Sequence, residues 1–105
     1  MKQIIAIVKP FLAEKVLERL KRAPLESILI REVKGFGRQK SDLDDYREGE
    51  FSKAFLPKVE FSMWVDDARC EEILKIVTET AWTGRIGDGK IFVVSSDPAR
   101  RMVEF

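Results

Sequence analysis

The feature that most constrains the fold of this chain is a strict two-residue alternation across residues 58–65. Its apolar positions are Val59, Phe61, Met63 and Val65, and its intervening positions are Lys58, Glu60, Ser62 and Trp64. Successive side chains of a β-strand point to opposite faces, so this pattern predicts a strand with one face in a core. The other face is less apolar, so we expect the sheet that contains this strand to be covered on one side only.

Three further elements are predicted before this strand. Residues 4–8 form a β-branched apolar run of strand length, which a proline-containing dipeptide closes. Residues 12–20 carry an apolar side chain at every fourth position among charged ones, which predicts an amphipathic helix that Pro24 stops. Residues 27–35 interleave apolar and charged side chains, as in a strand with a partly exposed face.

A second helix and a last strand are predicted after it. The apolar stripe of the helix consists of Cys70, Ile73, Leu74, Val77 and Ala81. Asp66 and Asp67 can cap its start, and Trp82, directly behind the stripe, is expected in the core. Cys70 is expected to be a small buried hydrophobe rather than a reactive thiol. Residues 90–95, with IFVV at their centre, complete the pattern as a strand.

The order β-α-β-β-α-β predicts an α+β fold of the ferredoxin-like type. In it two helices cover one face of a four-stranded antiparallel sheet, and the second sheet face needs water or a partner. With 105 residues the chain is expected to be one domain. A long exposed loop at about 37–55 shows no helix or strand periodicity, and loops of this length are usually functional or disordered.

Composition excludes several classes of function. The chain has no histidine, which removes Ser-His and Cys-His nucleophile pairs and histidine metal sites. Its single cysteine allows no internal disulfide, which suits a reducing, cytoplasmic compartment. A net charge of +1 is far from the basic balance of a nucleic-acid-binding protein. The apolar runs resemble neither a signal peptide nor a membrane span, so no direct membrane insertion is expected.

Two glycine-rich segments point to an anion site. In the first, Gly35 and Gly37 flank a phenylalanine and are followed by Arg38. In the second, residues 84–90 contain three glycines and end in Lys90. Glycine exposes backbone N–H groups and the cations supply charge, so either segment could hold phosphate, although each could also be a simple turn. Two such segments in one small domain favour an anion site.

The second segment reads G-x-x-x-x-G-K, yet we reject a Walker A nucleotide hydrolase. That motif needs Ser or Thr after the lysine to hold Mg²⁺, and Ile91 stands there. It also needs a helix whose N-terminus faces the phosphates, whereas the following residues predict a strand. A slow ATPase using Lys90 and Mg²⁺ is the alternative from the class of enzymes, and it lacks a convincing general base. A purely structural assembly is the third alternative.

Taken together, three segments resemble the nitrogen regulatory PII signal-transduction proteins. The matching stretches are residues 32–40, 55–59 and 83–93, and residues 7–11 fit as well. The resemblance implies a non-catalytic regulator that assembles as a homotrimer, with ATP or ADP in each cleft between neighbours. It also implies that the loop at about 37–55 docks on a target, either a membrane transporter (for ammonium or another solute) or a metabolic enzyme. The protein would then be cytoplasmic and reach the membrane through a transporter partner.

The resemblance also carries over site residues by position. Those implied to contact the nucleotide phosphates are Gly35, Gly37, Arg38, Gly87, Gly89, Lys90 and Arg101. Gln39 would join ATP and 2-oxoglutarate in holding Mg²⁺, and Lys58 would pair with the distal carboxylate of 2-oxoglutarate. No permanent cofactor is implied, since the nucleotide acts as an effector.

This sequence departs from the PII pattern at several positions. Phe51 replaces the uridylylated tyrosine and Gly49 the phosphorylated serine of other members, so neither modification is expected there. Leu29 replaces a threonine near the adenine, and Ser62 and Trp64 are also atypical around the base. Val103 replaces the second arginine of the tail. A PII-like paralogue that regulates another transport system with a different effector is therefore a second interpretation.

Overall fold

The computed structural model describes residues 1–23, 25–35, 56–85, 88–98, 100 and 102. Within these residues the order of elements is the predicted one. The elements are β1 (Lys2–Val8), α1 (Pro10–Leu20), β2 (Ser27–Gly35), β3 (Leu56–Val65), α2 (Cys70–Ala81) and β4 (Lys90–Ser95), with a short 3₁₀ turn (Asp67–Arg69) before α2. The loop predicted at about 37–55 lies outside the described residues.

The four strands form one antiparallel sheet in the order β2-β3-β1-β4. This topology confirms the ferredoxin-like prediction, in which the two strands that precede helices occupy the centre. Strands β1 and β2 end, and β3 and β4 begin, at one end of the sheet. We call this end, marked by Val8, Gly35, Leu56 and Lys90, the loop end. No helix in the described part of the chain is long and apolar enough to cross a membrane.

The core lies between the sheet and the two helices. Alternate residues of β1 are buried, and the register places each one directly opposite an apolar residue of β3, as Ala6 opposite Phe61. Helix α1 contributes Leu12, Val16 and Leu20, one face of a helix with a proline in its first turn. Helix α2 contributes Cys70, Ile73, Val77 and Ala81, as its stripe predicts. Burial raises the pKa of the Cys70 thiol, which fits its prediction as a buried hydrophobe.

The other side of the sheet carries no helix, and we call it the open face. Three rows of directly opposed residues cross it in the order β2-β3-β1-β4. Counted from the loop end, they are Arg31, Glu60, Ile7 and Lys90; then Leu29, Ser62, Ile5 and Phe92; then Ser27, Trp64, Gln3 and Val94. The first row is mostly charged. The next two rows expose large apolar side chains, with Leu29 at 60%, Phe92 at 49% and Val94 at 44% exposure.

The prediction that Trp82 lies in the core is wrong for the single chain. Trp82 is 70% exposed. Helix α2 ends at Ala81, and the backbone at Trp82 is extended, so Trp82 does not continue the buried face of the helix. Its indole ring instead lies beside Gly84, where an added Cβ would be 3.2 Å from Cζ2 of the ring.

Two boundaries also differ from the prediction. Asp66 makes no side-chain capping hydrogen bond, and Asp67 pairs with the amino group of Met1 at 3.0 Å, so neither caps α2. Strand β3 begins at Leu56, because its pairing with β2 continues to Gly35 opposite Leu56. Its pairing with β1 stops at Val59, so the strand has a neighbour on one side only at Pro57 and tolerates a proline there.

Candidate functional site

Both glycine-rich segments reach the loop end of the sheet. Gly35 is the last residue of β2, and Gly89 directly precedes Lys90, the first residue of β4. They lie at opposite edges, because β2 and β4 are the outer strands. Three inter-strand gaps separate these strands, a distance of about 14 Å. The described residues Gly35 and Gly89 therefore lie at the same end of the sheet but at opposite edges, with β3 and β1 between them.

Lys58 of β3 occupies the part of this space next to Gly35. It lies opposite Val33 on the open-face side and is only 6% exposed. A Cβ at Gly35 would lie 3.1 Å from Cγ of Lys58, so the glycine leaves room for the lysine stem. Burial lowers the pKa of Lys58, the nearby ammonium of Lys9 lowers it further, and Asp88 opposes both effects.

The second segment has a backbone that only glycine adopts easily. Gly84 and Gly89 have φ angles of 80° and 109°, both in the left-handed region. At Gly89 the chain also passes against β1, because a Cβ there would lie 1.7 Å from the carbonyl oxygen of Ile7. Lys90 then begins a strand, which confirms that the helix required by a Walker A motif is missing from this position.

A polar cluster ties the second segment to the end of β1. Lys9 Nζ lies 3.1 Å from Asp88 Oδ1 and donates a hydrogen bond of 3.2 Å to Thr83 Oγ1. Asp88 also accepts hydrogen bonds from the hydroxyl of Thr83 and from two backbone N–H groups, those of Thr83 and Gly84, each at 2.8 Å. The Thr83 hydroxyl is the main cause of a pKa of Asp88 well below the usual carboxyl range, and the backbone N–H groups and Lys9 add to it.

The charge at the loop end favours an anion. Lys58, Lys9 and Lys90 contribute three ammonium groups, whereas Asp88 contributes one carboxylate whose oxygens already accept hydrogen bonds from the protein. Within the described ranges no group of three or more Cys, Asp or Glu side chains could hold a metal ion. The described part of this site therefore offers cations rather than a set of oxygen ligands for a metal ion.

An ion pair lies between Lys58 and the apolar rows of the open face. Arg31 Nε lies 2.9 Å from Glu60 Oε2 across β2 and β3, and the Ser62 hydroxyl donates a further hydrogen bond of 3.2 Å to the same oxygen. The hydrogen bond from Arg31 lowers the pKa of Glu60, and the Ser62 hydroxyl contributes in the same direction. The Glu60 carboxylate is thus already paired within the chain.

Comparison with known protein families assigns the chain to a family. Residues 1–103 match the family model described as nitrogen regulatory protein P-II. The chain belongs to the nitrogen regulatory protein P-II family. It is 45% identical to the nitrogen regulatory protein P-II of Rhodospirillum rubrum over 102 residues, which cover 97% of this chain and 91% of the relative. It is 46% identical to the nitrogen regulatory protein GlnK of Escherichia coli K12 over 93 residues, covering 89% and 83%. It is also 43% identical to the P-II protein of Rhizobium meliloti over 102 residues, covering 97% and 91%.

Four of the residues that the P-II resemblance assigned to ligands are described, and they divide between the two edges. Gly35 and Lys58 lie together at the β2–β3 edge, and Gly89 and Lys90 lie at the β4 edge. The other assigned positions are outside the described residues, namely Gly37, Arg38, Gln39, Gly87 and Arg101, as are Gly49 and Phe51.

The three atypical P-II positions lie on the same face of the sheet. Leu29 and Ser62 are directly opposite each other, and Trp64 stands in the next row away from the loop end. They are therefore neighbours on the open face, within the rows that expose apolar side chains.

Local sequence patterns do not identify Lys9, Thr83 and Asp88 as parts of the candidate site. All three lie in stretches that resemble PII proteins, but the resemblance implies no role for them. The available signal was an aspartate between two glycines, since Asp in a loop commonly accepts backbone N–H groups nearby. Lys9 and Thr83, which are hydrogen-bonded, are 74 positions apart in the sequence, so no local pattern predicts their contact.

Proposed function

We propose that this chain is a non-catalytic signal-transduction regulator of nitrogen metabolism that binds ATP or ADP. In this proposal the loop at about 37–55 controls a transporter, for ammonium or another solute, or a metabolic enzyme. The observation that carries it is that Gly35 and Lys58 at one edge, and Gly89 and Lys90 at the other, all lie at the same end of the sheet. Membership of the P-II family supports the regulatory role, as do relatives that are themselves named nitrogen regulatory proteins.

The nucleotide site is proposed to lie between neighbouring copies. The phosphates would contact backbone N–H groups and cations of Gly35, Gly37, Arg38, Gly87, Gly89, Lys90 and Arg101. Supporting this, β2 and β4 are the two outer strands of the sheet, about 14 Å apart in one chain, so Gly35 and Gly89 do not adjoin within it. A second copy set against the loop end could bring the two kinds of segment together.

Mg²⁺ and 2-oxoglutarate complete the proposal. Gln39 would hold Mg²⁺ together with phosphate oxygens of ATP, because the described residues here supply few oxygen ligands of their own. Lys58 would pair with the distal carboxylate of 2-oxoglutarate, and its burial strengthens a charge-assisted hydrogen bond to such an anion. Binding that favours one conformation of the loop at about 37–55 would change partner affinity by thermodynamic linkage, with no bond made or broken.

Calorimetric titration of the purified protein tests the effectors. We expect ATP and ADP to bind, and 2-oxoglutarate to bind measurably only when ATP and Mg²⁺ are present. Lys58→Met should weaken 2-oxoglutarate binding at least about tenfold, because the carboxylate loses its charged donor. ATP binding should change much less. Lys75→Met, an exposed lysine on α2, is the matched control.

Failure of the folded wild-type protein to bind either ATP or ADP would overturn the proposed function. A second outcome separates it from the paralogue interpretation, which the adjacent positions of Leu29, Ser62 and Trp64 favour. ATP binding without any effect of 2-oxoglutarate would assign the chain to a PII-like regulator with a different effector.

Self-association through the open face is the second part of the proposal. The exposed side chains of Leu29, Phe92 and Val94 form an uncovered apolar surface, which supports burial against other copies. We expect sedimentation equilibrium to give three times the 12.1 kDa of one chain. Phe92→Lys should shift this mass toward that of one chain, because a lysine ammonium would be buried at the interface.

Phe11→Lys is the matched control for this experiment. Phe11 is a phenylalanine at the start of α1 that is 71% exposed and lies away from the open face. A wild-type protein that sediments as one chain at all concentrations would contradict the homotrimer. An unchanged trimer in Phe92→Lys would contradict burial of the open face between copies.

A further inference from the structure

Asp88 closes the second glycine-rich segment on itself. One carboxylate oxygen, Oδ2, accepts the backbone N–H groups of Thr83 and Gly84, both at 2.8 Å. The other, Oδ1, accepts the Thr83 hydroxyl and lies 3.1 Å from Lys9 Nζ. The Asp88 side chain thereby connects the start of the segment, its end, and Lys9, the residue that directly follows β1.

The two described ends of the segment are placed by different contacts. Residues 83–84 donate to the carboxylate, whereas Gly89 passes close to the carbonyl of Ile7 and Lys90 pairs with Ile7 in the sheet. Asp88 directly precedes Gly89 and Lys90, so the position of Asp88 determines where these two residues lie. Its own backbone is therefore placed by four interactions that do not involve a ligand.

The charge of Asp88 would oppose a bound anion if it were not compensated. Lys9 supplies that compensation, and it is itself only 17% exposed, so the pair is partly shielded from water. Two backbone N–H groups and the Thr83 hydroxyl also donate to the carboxylate and stabilise its negative charge. An aspartate can thus stand beside a phosphate site without repelling the phosphate strongly.

We propose that Asp88 is a positioning residue for polyphosphate binding, which holds residues 83–84 and 88–90 in the shape that presents Gly89 and Lys90 to the ligand, with Lys9 as its compensating cation. This inference rests on the proposed function, since the ligand is the ATP or ADP named there. Preorganising a binding loop raises affinity because the ordering cost is met during folding rather than on binding. In this proposal the Asp88 carboxylate acts through the loop and not by contact with the ligand, since both of its oxygens are engaged within the chain.

Three substitutions test this role by ATP titration. Asp88→Ala removes every contact of the carboxylate and should weaken ATP binding about tenfold or more. Asp88→Asn keeps one oxygen that can accept both backbone N–H groups, so it should restore affinity to within about threefold of wild type. Asp66→Ala is the matched control, an exposed aspartate beyond the opposite end of β3 that makes no capping hydrogen bond, and it should bind ATP as wild type does.

A spectroscopic measurement separates positioning from general loss of stability. In Asp88→Ala the amide protons of Thr83 and Gly84 should exchange faster with solvent and shift in NMR spectra, while amides of the core strand β3 stay protected. If Asp88→Ala does not fold, Thr83→Val removes one donor and leaves the carboxylate in place. It should weaken ATP binding about threefold.

The outcomes distinguish this inference from the function on which it rests. Equal ATP affinity in wild type and Asp88→Ala, or in wild type and Thr83→Val where that variant is the one measured, overturns the positioning role and leaves the proposed function intact. Faster amide exchange at Thr83 and Gly84 in Asp88→Ala, together with unchanged ATP affinity, overturns the positioning role as well. A wild-type protein that binds no nucleotide overturns both proposals.

Discussion

Gly89→Ala is expected to lower the free energy of unfolding by about 2–4 kcal/mol and to weaken ATP binding at least about tenfold. A Cβ at this position would lie 1.7 Å from the carbonyl oxygen of Ile7 and 2.9 Å from its carbonyl carbon. Both are backbone atoms of a central strand, which cannot move without disturbing the sheet. The segment itself would have to shift, and Lys90 would move with it.

Gly84→Ala is the matched control, because it isolates the cost of the backbone angle. Gly84 also has a positive φ, but its added Cβ would meet only the ring of Trp82, at 3.2 Å. That ring is largely exposed and can turn aside, so a loss of about 1 kcal/mol is expected from backbone strain. Urea unfolding at one fixed protein concentration measures both variants. Equal losses for the two glycines would contradict the close approach of Gly89 to β1.

Phe61→Ala is expected to cost about 3–5 kcal/mol of unfolding free energy. Phe61 is the largest of the fully buried side chains, at 1% exposure, and it lies in the central strand β3 between Ala6 of β1 and Ile30 of β2. Ala6 is too small to fill the space that the ring would leave. The loss therefore combines the lost burial of an aromatic ring with a cavity in the core.

Phe11→Ala is the control for this variant, since Phe11 is 71% exposed and should cost less than about 0.5 kcal/mol. The same urea experiment compares the two phenylalanines. A loss of under about 1 kcal/mol for Phe61→Ala would mean that the core closes around the missing ring, contrary to its place between two paired strands.

Local patterns were sufficient for most of the fold. Alternation across residues 58–65 assigned Phe61 and Met63 to the buried face, and the stripe of α2 assigned Ile73 and Val77, because strand and helix periods express burial directly in the sequence. The order of the predicted strands and helices then left few possible sheet topologies. Trp82 follows the last residue of α2, so the period of the helix could not assign its side chain.

The candidate site was predicted only in part, for a physical reason. Glycines and cations mark a phosphate site by composition, so Gly35, Gly89 and Lys90 could be identified from local sequence. Lys58 came from the family resemblance alone. Its burial beside Gly35 results from strand pairing between residues more than twenty positions apart. The contacts of Asp88 with Lys9 likewise depend on how the segment before β4 returns to the end of β1.

The exposed indole of Trp82 gives this molecule a built-in optical probe. It is one of two tryptophans, and the other, Trp64, sits on the open face more than a strand's half-length from the loop end. Replacing Trp64 with phenylalanine would leave Trp82 as the single tryptophan. Its ring lies beside Gly84, whose N–H donates to Asp88, so its fluorescence should respond to changes in this part of the backbone. Rearrangements of that backbone could then be followed in real time by emission, without attaching a dye.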